Sequence, residues 1–244
     1  MSESPMTSGF EPYPTDQGGR HEGYGAPSYE AYPPHAAYYY GPPPTAPTGL
    51  AVAAVVLAGV YSLVQVLSFA TSWSAADQYA DLARRGADSA TLFTTYDAVN
   101  LLLPLVGVAA YVVTCLWLTR ARKTATTLTQ DVPQARSVVW VWLGWWVPIV
   151  SFWFPYQVVR DIRRATRLRD SAVLGFWWAF WLVTLLASQV AGNLVPTSGV
   201  PDQDLVDALP WAEAVLTAAT LGALVLWCVT VRDIARAQRR LTGV

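Results

Sequence analysis

The side chains that most often carry out chemistry are scarce in the apolar part of this chain. Both histidines, His21 and His35, lie near the N-terminus, so the apolar remainder lacks the usual general base and the commonest metal ligand. The two cysteines, Cys115 and Cys228, lie far apart inside apolar segments, which fits neither a disulfide framework nor a zinc site. The sequence also lacks a phosphate-binding loop, a serine nucleophile elbow and a paired-cysteine motif. It therefore predicts no enzyme, no cofactor and no bound metal.

The elements that position these residues are long apolar segments. Hydrophobic residues make up 53% of the 244 residues and charged residues only 14%, and the two kinds are segregated along the chain. Four segments are long enough to cross a hydrocarbon core of about 30 Å as helices. Ionisable groups within the membrane usually mark ion-coupled transport, and the sequence places Asp97 and Glu213 only at the ends of these segments. The four predicted spans are residues 49–71, 98–119, 172–195 and 211–231.

A fifth apolar segment, residues 138–158, is a poor candidate for a crossing helix. Pro148 removes a backbone hydrogen-bond donor near its middle, and Pro155 does so again one heptad later. Five of its residues are Trp, which prefers the membrane interface to the bilayer centre. We therefore predict a re-entrant or interfacial segment that is helical from about Ser137 to Val147 and broken at Pro148.

Charge predicts the orientation, because Lys and Arg concentrate in cytoplasmic loops. With four crossing helices, a non-crossing fifth segment and a cytoplasmic N-terminus, 14 of the 16 Lys and Arg residues lie inside. Five crossing helices place at best 11 of them inside. The predicted fold class is an all-α membrane protein with four transmembrane helices, one Pro-broken re-entrant or interfacial segment and a disordered N-terminal tail. We expect both termini to be cytoplasmic.

Residues 1–48 differ in composition from the rest of the chain. They are rich in Pro, Gly and Tyr and have no periodic apolar face, so they cannot bury enough surface to offset the entropy lost on ordering. They predict a disordered cytoplasmic tail, followed by a helical membrane domain over residues 49–240. Such a tail either docks a protein partner, whose identity is unknown, or is a solvated leader without one.

A short basic pattern occurs twice, as Val159-Arg-Asp-Ile-Arg-Arg-Ala165 and Val231-Arg-Asp-Ile-Ala-Arg-Ala237. Each copy predicts an amphipathic basic helix, over residues 159–169 and 232–241. An Arg near anionic lipid contributes about 1 kcal/mol, which makes the inner surface of the lipid bilayer a candidate partner. The alternative is ordinary topology-setting charge on helices that extend past the bilayer. The candidate lipid contacts are Arg160, Arg163, Arg164, Arg167, Arg232, Arg236, Arg239 and Arg240.

The fifth segment also carries a motif of eight residues at fixed spacing, continued into the first basic helix. The motif residues are Gly144, Trp145, Pro148, Ile149, Trp153, Pro155, Gln157 and Asp161. This pattern resembles that of an actinobacterial family of multi-pass membrane proteins, catalogued as domain of unknown function 4328. Ser151 stands where many members have Asn. The resemblance implies a bacterial plasma membrane and a membrane domain over most of the chain, and it implies no activity, substrate or catalytic residue.

Two functions remain open at this point. The first is a membrane interaction or regulatory module with a cytoplasmic tail and basic juxtamembrane helices, and we expect no nucleic-acid partner for it. The alternative is a channel or small-solute transporter built around the re-entrant segment. A continuous polar lining through the bundle would favour the alternative. A closed apolar interior with a polar cytoplasmic face would favour the interaction module.

Overall fold

A computed structural model describes residues 45–129, 132 and 134–243, and these residues are largely helical and contain no strand. Of the predicted tail, residues 1–48, only the last four fall inside the described part of the chain. The helices are α1 (Thr48–Arg85), α2 (Thr95–Asn100), α3 (Leu102–Leu128), α4 (Val139–Leu143), α5 (Phe154–Ala165), α6 (Ala172–Leu194) and α7 (Gln203–Thr242).

Four parts of the described chain are long and apolar enough to cross a membrane: α1, α2 together with α3, α6 and α7. Their outward faces carry apolar side chains such as Val56, Leu105, Leu186 and Val225, each more than half exposed. Such faces are unfavourable in water, whereas hydrocarbon solvates them. The predicted class, an all-α membrane protein with four transmembrane helices and a Pro-broken fifth segment, is confirmed.

The first helix is longer than the apolar segment that predicted it. α1 continues past the uncharged residues to Arg85 and ends at Gly86, whose left-handed backbone (φ 62°) suits a residue without a Cβ. In this extension Tyr79 is buried against Val206 and Leu209 at the start of α7. Packing between the two helices therefore stabilises the turns beyond the predicted span.

The second crossing helix is interrupted near its start by a proline. α2 begins with a capping box in which the Thr94 hydroxyl accepts from the Asp97 N–H and the Asp97 carboxylate accepts from the Thr94 N–H. Pro104 has no N–H to donate to the Asn100 carbonyl, and its ring crowds that carbonyl. The helix therefore breaks after Asn100 and restarts at Leu102.

The bundle has two ends that differ in charge. α1 and α7 pack along one another, α3 packs on α1 and α6 on α7, whereas α3 and α6 hardly touch. Loops 86–94 and 195–202 meet at one end, where the Ser89 N–H donates to the Gly199 carbonyl (2.9 Å). We call this the acidic end, and the opposite one, which holds most of the Arg residues, the basic end. The Asp residues of the acidic end are Asp77, Asp81, Asp88, Asp97, Asp202, Asp204 and Asp207.

The chain between α3 and α6 leaves and returns at the basic end, so the fifth apolar segment does not cross the bundle. Its tip, Trp145 and Trp146, reaches Tyr111 on α3 and Trp181 on α6. Trp181 lies nine residues after the start of α6, which is about 14 Å along the helix axis. The tip therefore lies inside the bundle rather than beside its basic end, which is the geometry expected of a re-entrant segment.

The first leg of the re-entrant segment is less helical than predicted. A helix was expected from about Ser137 to Val147, whereas α4 ends at Leu143. Pro148 disfavours helical backbone at the residue before it and removes the donor for the Gly144 carbonyl. The break therefore begins one turn earlier than the proline itself.

Candidate functional site

Gly144 sets the first turn of the re-entrant segment and the approach of its two legs. A Cβ at this position would lie 2.5 Å from the Trp140 carbonyl oxygen and 3.3 Å from the Phe154 Cβ. A carbon atom cannot approach a carbonyl oxygen that closely without displacing it. The first contact lies within α4's own last turn and the second joins α4 to the start of α5, so Gly is required by the end of α4 and also leaves room for α5 beside it.

The tip of the re-entrant segment reverses through a tight turn after Pro148. The Val150 N–H donates to the Pro148 carbonyl (2.7 Å) around Ile149, whose backbone φ is 66°. This three-residue turn is strained for a β-branched residue. A 3₁₀ turn, Val150–Phe152, follows it, and α5 then carries Pro155 in its first turn, where a missing N–H costs nothing.

Aromatic donors from the neighbouring helices satisfy carbonyl groups of the re-entrant segment. The Trp142 carbonyl accepts a hydrogen bond from the Tyr111 hydroxyl on α3 (2.7 Å). The Phe152 carbonyl accepts one from the Trp178 indole N–H on α6 (2.9 Å). Irregular backbone is tolerated at membrane depth only where such partners replace water. These two bonds therefore explain why the segment can enter the bundle.

The two motif tryptophans have different environments. Trp145 donates its indole N–H to the Val141 carbonyl (3.0 Å) and packs edge-on against Trp181 (ring centroids 5.7 Å apart). Trp153 packs against the neighbouring Phe154 and is 42% exposed. Trp145 is thus held in place inside the bundle, whereas Trp153 presents part of its ring outward.

Gln157 and Asp161 join the two legs of the re-entrant segment at the basic end. Arg136 donates from Nε to Gln157 Oε1 (2.9 Å), and its guanidinium lies 4.0 Å from the centre of the Phe154 ring. The Ala135 N–H donates to the Asp161 carboxylate (3.1 Å). The polar residues of the motif therefore have a structural role in this fold, which is to close the base of the hairpin.

The two copies of the basic repeat pack on a common core. Ile162 in α5 and Ile234 in α7 are both fully buried there. Arg163 is 4% exposed and pairs with Asp233 of the other copy (3.5 Å), so its burial removes it from the predicted lipid contacts. The helix of the first copy ends at Ala165, four residues before the predicted end, and the second copy is a continuation of α7 rather than a separate helix.

The other predicted lipid contacts lie at or near the surface of the basic end. In the first copy Arg164 and Arg167 are exposed and Arg160 is half-buried. Hydrogen bonds from the Arg164 guanidinium (3.0 and 2.6 Å) lower the pKa of the Asp170 carboxyl below its ordinary value. In the second copy four exposed arginines lie along one face of α7, and the last three line a shallow depression with Gly243. We call these four the α7 stripe: Arg232, Arg236, Arg239 and Arg240.

A cavity of about 460 Å³ lies between α3 and α6, beside the tip of the re-entrant segment. All four crossing helices contribute to its walls, and no charged side chain of the described residues lines it. The sequence predicted only that Trp residues lie at membrane interfaces. It did not predict a cavity lined by Trp, because the residues that line it are far apart in the chain. Five tryptophans line the cavity: Trp145, Trp146, Trp177, Trp181 and Trp227.

A buried polar cluster lies between this cavity and the acidic end. Glu213 on α7 is 2% exposed and accepts hydrogen bonds from Gln65 Nε2 (2.7 Å) and from the Tyr96 hydroxyl (2.8 Å). Asn100 donates to the Ser68 hydroxyl (2.9 Å), which joins α2 to α1. These bonds connect α1, α2 and α7.

The position of Glu213 corrects the expectation that it lies at the end of its segment. α7 begins more than two turns before the predicted span, so Glu213 lies well inside the helix. A carboxyl group inside an otherwise uncharged segment is the signal that could have identified it. Two other polar residues of the spans, Gln189 and Asn193, are exposed on α6 and take no part in the cluster.

The part of the chain that the structure describes does not bring together a metal-ligand cluster. Within it, no group of three or more His, Cys, Asp or Glu side chains could hold a metal ion. Cys115 is buried and donates to the Val141 carbonyl (3.2 Å). His21 and His35 lie outside the described residues.

Four crossing helices, with a re-entrant segment between the second and the third of them, define a multi-pass α-helical membrane protein. Comparison with known families matches residues 81–236, which include α2 to α6 and most of α7, to Domain of unknown function (DUF4328). The chain belongs to this family, as its motif predicted. No curated protein and no solved structure matches the chain.

Proposed function

We propose that the protein is a non-enzymatic membrane interaction module, whose basic end binds anionic phospholipid headgroups at the cytoplasmic face of a bacterial plasma membrane. The α7 stripe carries this proposal. Its four guanidinium groups follow one helix face at i, i+4, i+7 and i+8 and are all exposed. A guanidinium matches a phosphate with two parallel hydrogen bonds, so this face suits lipid headgroups.

The arrangement of the stripe goes beyond what topology alone requires. Positive charge sets orientation wherever it lies near the ends of the spans, without a preferred helix face. In the first copy Arg163 and Arg164 are engaged by Asp233 and Asp170. Among the described residues, by contrast, no carboxylate lies within ion-pair distance of the α7 stripe. These arginines are therefore available to an external anion.

The proposal is tested by comparing an anionic with a zwitterionic lipid. Purified protein in neutral detergent is titrated with phosphatidylglycerol or phosphatidylcholine, and binding is followed by native mass spectrometry. At about 1 kcal/mol for each Arg, four stripe residues give up to about 4 kcal/mol of preference for the anionic lipid. Replacing all four by Gln should abolish most of that preference.

Arg84 and Arg85 provide a matched control for this experiment. They are exposed arginines on a helix end too, but they lie at the acidic end, beside Asp81. The variant R84Q/R85Q should keep the wild-type preference for phosphatidylglycerol. The proposal fails if the stripe variant keeps that preference, or if the control variant loses it to the same extent.

We further propose that the tail, residues 1–48, binds a cytoplasmic protein, which would make the module regulatory. Its repeated Pro and Tyr residues support this, because Pro-rich segments dock into aromatic grooves of partner domains. A photo-crosslinker at Tyr39 in native membranes should give a recurring product that a crosslinker at Ser198 does not give. Identical products from both positions would contradict a tail-specific partner.

The alternative function, a channel or small-solute transporter, has less support. Such a protein needs a polar path across the membrane. The cavity beside the re-entrant tip has an uncharged, Trp-rich lining, and Glu213 is engaged by Gln65 and Tyr96. Solute flux in proteoliposomes that disappears in E213A but persists in the stripe variant would favour transport instead.

A further inference from the structure

The Trp-lined cavity opens sideways into the membrane rather than toward an aqueous end. α3 and α6, which border it, hardly touch, and the tip of the re-entrant segment closes the side toward the basic end. Pro104, Val108 and Trp146 line the cavity and are also exposed, which places them at its rim. The opening therefore faces hydrocarbon in a membrane.

The lining of the cavity provides few polar groups that could hydrogen-bond with water. The hydroxyl groups of Ser62, Thr184 and Thr220 donate to carbonyls one turn back in their own helices (2.9, 3.0 and 2.8 Å). Tyr111 donates to the re-entrant backbone. An apolar cavity does not hold water stably, and an empty one forfeits the dispersion contacts of its walls. The opening faces the hydrocarbon chains of the membrane, which are apolar and can therefore fill the cavity.

The walls of the cavity are held in place by contacts among the aromatic rings. Trp177 stacks on Trp227 (ring centroids 4.9 Å apart), and Trp145 lies edge-on to Trp181. A volume of about 460 Å³ lies within the range of small-molecule sites. A preformed pocket loses little conformational freedom on binding. These properties distinguish a defined site from the loosely covered outer faces of the helices.

We propose that the cavity binds one acyl chain of a membrane phospholipid. The chain enters sideways past Pro104 and Val108 and ends against the rings of Trp145 and Trp181. It fills the gap between α3 and α6 and so connects the two outer helices of the bundle. This site recognises the apolar chain and not the headgroup, so it is independent of the proposed lipid contacts at the basic end.

The first test uses the unaltered protein. In nanodiscs of phosphatidylcholine, one lipid carries a photoactivatable diazirine in the distal half of an acyl chain, and crosslinked residues are mapped by mass spectrometry. The zwitterionic headgroup keeps the basic end from contributing. Crosslinks should concentrate several-fold at lining residues of α3 and α6, such as Gly107, Thr114 and Thr184, relative to the lipid-exposed residues 186–190. Labelling that simply follows outward exposure, with no excess at the cavity, overturns the proposal.

The second test fills the cavity from two helices. G107F on α3 and T184F on α6 add rings at lining positions, and V112F places the same ring at an exposed position of α3 outside the cavity. Released from nanodiscs into mild detergent, the wild type and V112F should each retain one phosphatidylcholine, and the filled variants should lose it. Retention by G107F and T184F with unchanged crosslinking contradicts the site. If the filled variants do not fold, the crosslinking of the wild type decides.

Discussion

Replacing Gly144 by Ala should destabilise the re-entrant segment although it adds a single methyl group. The new Cβ would lie 2.5 Å from the Trp140 carbonyl oxygen and 3.3 Å from the Phe154 Cβ. Both neighbours are parts of the main chain or next to it, so neither can rotate away as a flexible side chain could. Forcing an extra methyl into a packed site usually costs about 1–3 kcal/mol. The last turn of α4 would have to distort to relieve the first contact, and the start of α5 would have to move away to relieve the second.

The measurement is the free energy of unfolding in mixed micelles with increasing SDS, compared with that of G175A. Gly175 lies inside α6, and a Cβ there would meet nothing within 4 Å. Ala in place of Gly within a helix stabilises by about 0.5–1 kcal/mol, so the control should move in the opposite direction. The difference between the two variants should therefore be about 1.5–4 kcal/mol. Equal stabilities for G144A and G175A would refute the close-approach explanation.

The remaining predictions concern hydrogen bonds and topology. W178F keeps an aromatic side chain, although a smaller one, and removes the indole N–H that donates to the Phe152 carbonyl. It should lower the free energy of unfolding by about 1–3 kcal/mol, and an unchanged value would show that this carbonyl finds another partner. E213A removes the carboxylate acceptors of two buried donors and should cost more than E213Q, which keeps one acceptor, in the same assay. Equal losses would contradict the hydrogen-bond argument. In a chain without its native cysteines, single cysteines at Ser137 and Arg167 should react from one side of the membrane and one at Ser198 from the other. Reaction of the first two from opposite sides would mean that the segment spans.

Features that depend only on residues close together in the chain were predictable from the sequence. The sequence predicted the number of crossing helices and the Pro-broken fifth segment. It could do so because the free energy of transferring a segment into hydrocarbon is the sum of contributions from that segment's own residues. The family was found because its motif is local. The ends of the helices were less well predicted: α1 runs on to Arg85 because Tyr79 packs against Val206 and Leu209, which lie more than a hundred residues away.

The contacts between helices could be learned only from the tertiary structure. Glu213 meets Gln65 across 148 positions, Arg163 meets Asp233, and five tryptophans from three segments surround one cavity. Each of these contacts depends on how a helix is rotated about its own axis. A helix that is apolar on nearly all sides is soluble in lipid at any rotation, so its hydropathy pattern does not specify which face turns inward. Shape, small residues and a few hydrogen bonds decide that rotation, and they act only once the helices are packed together.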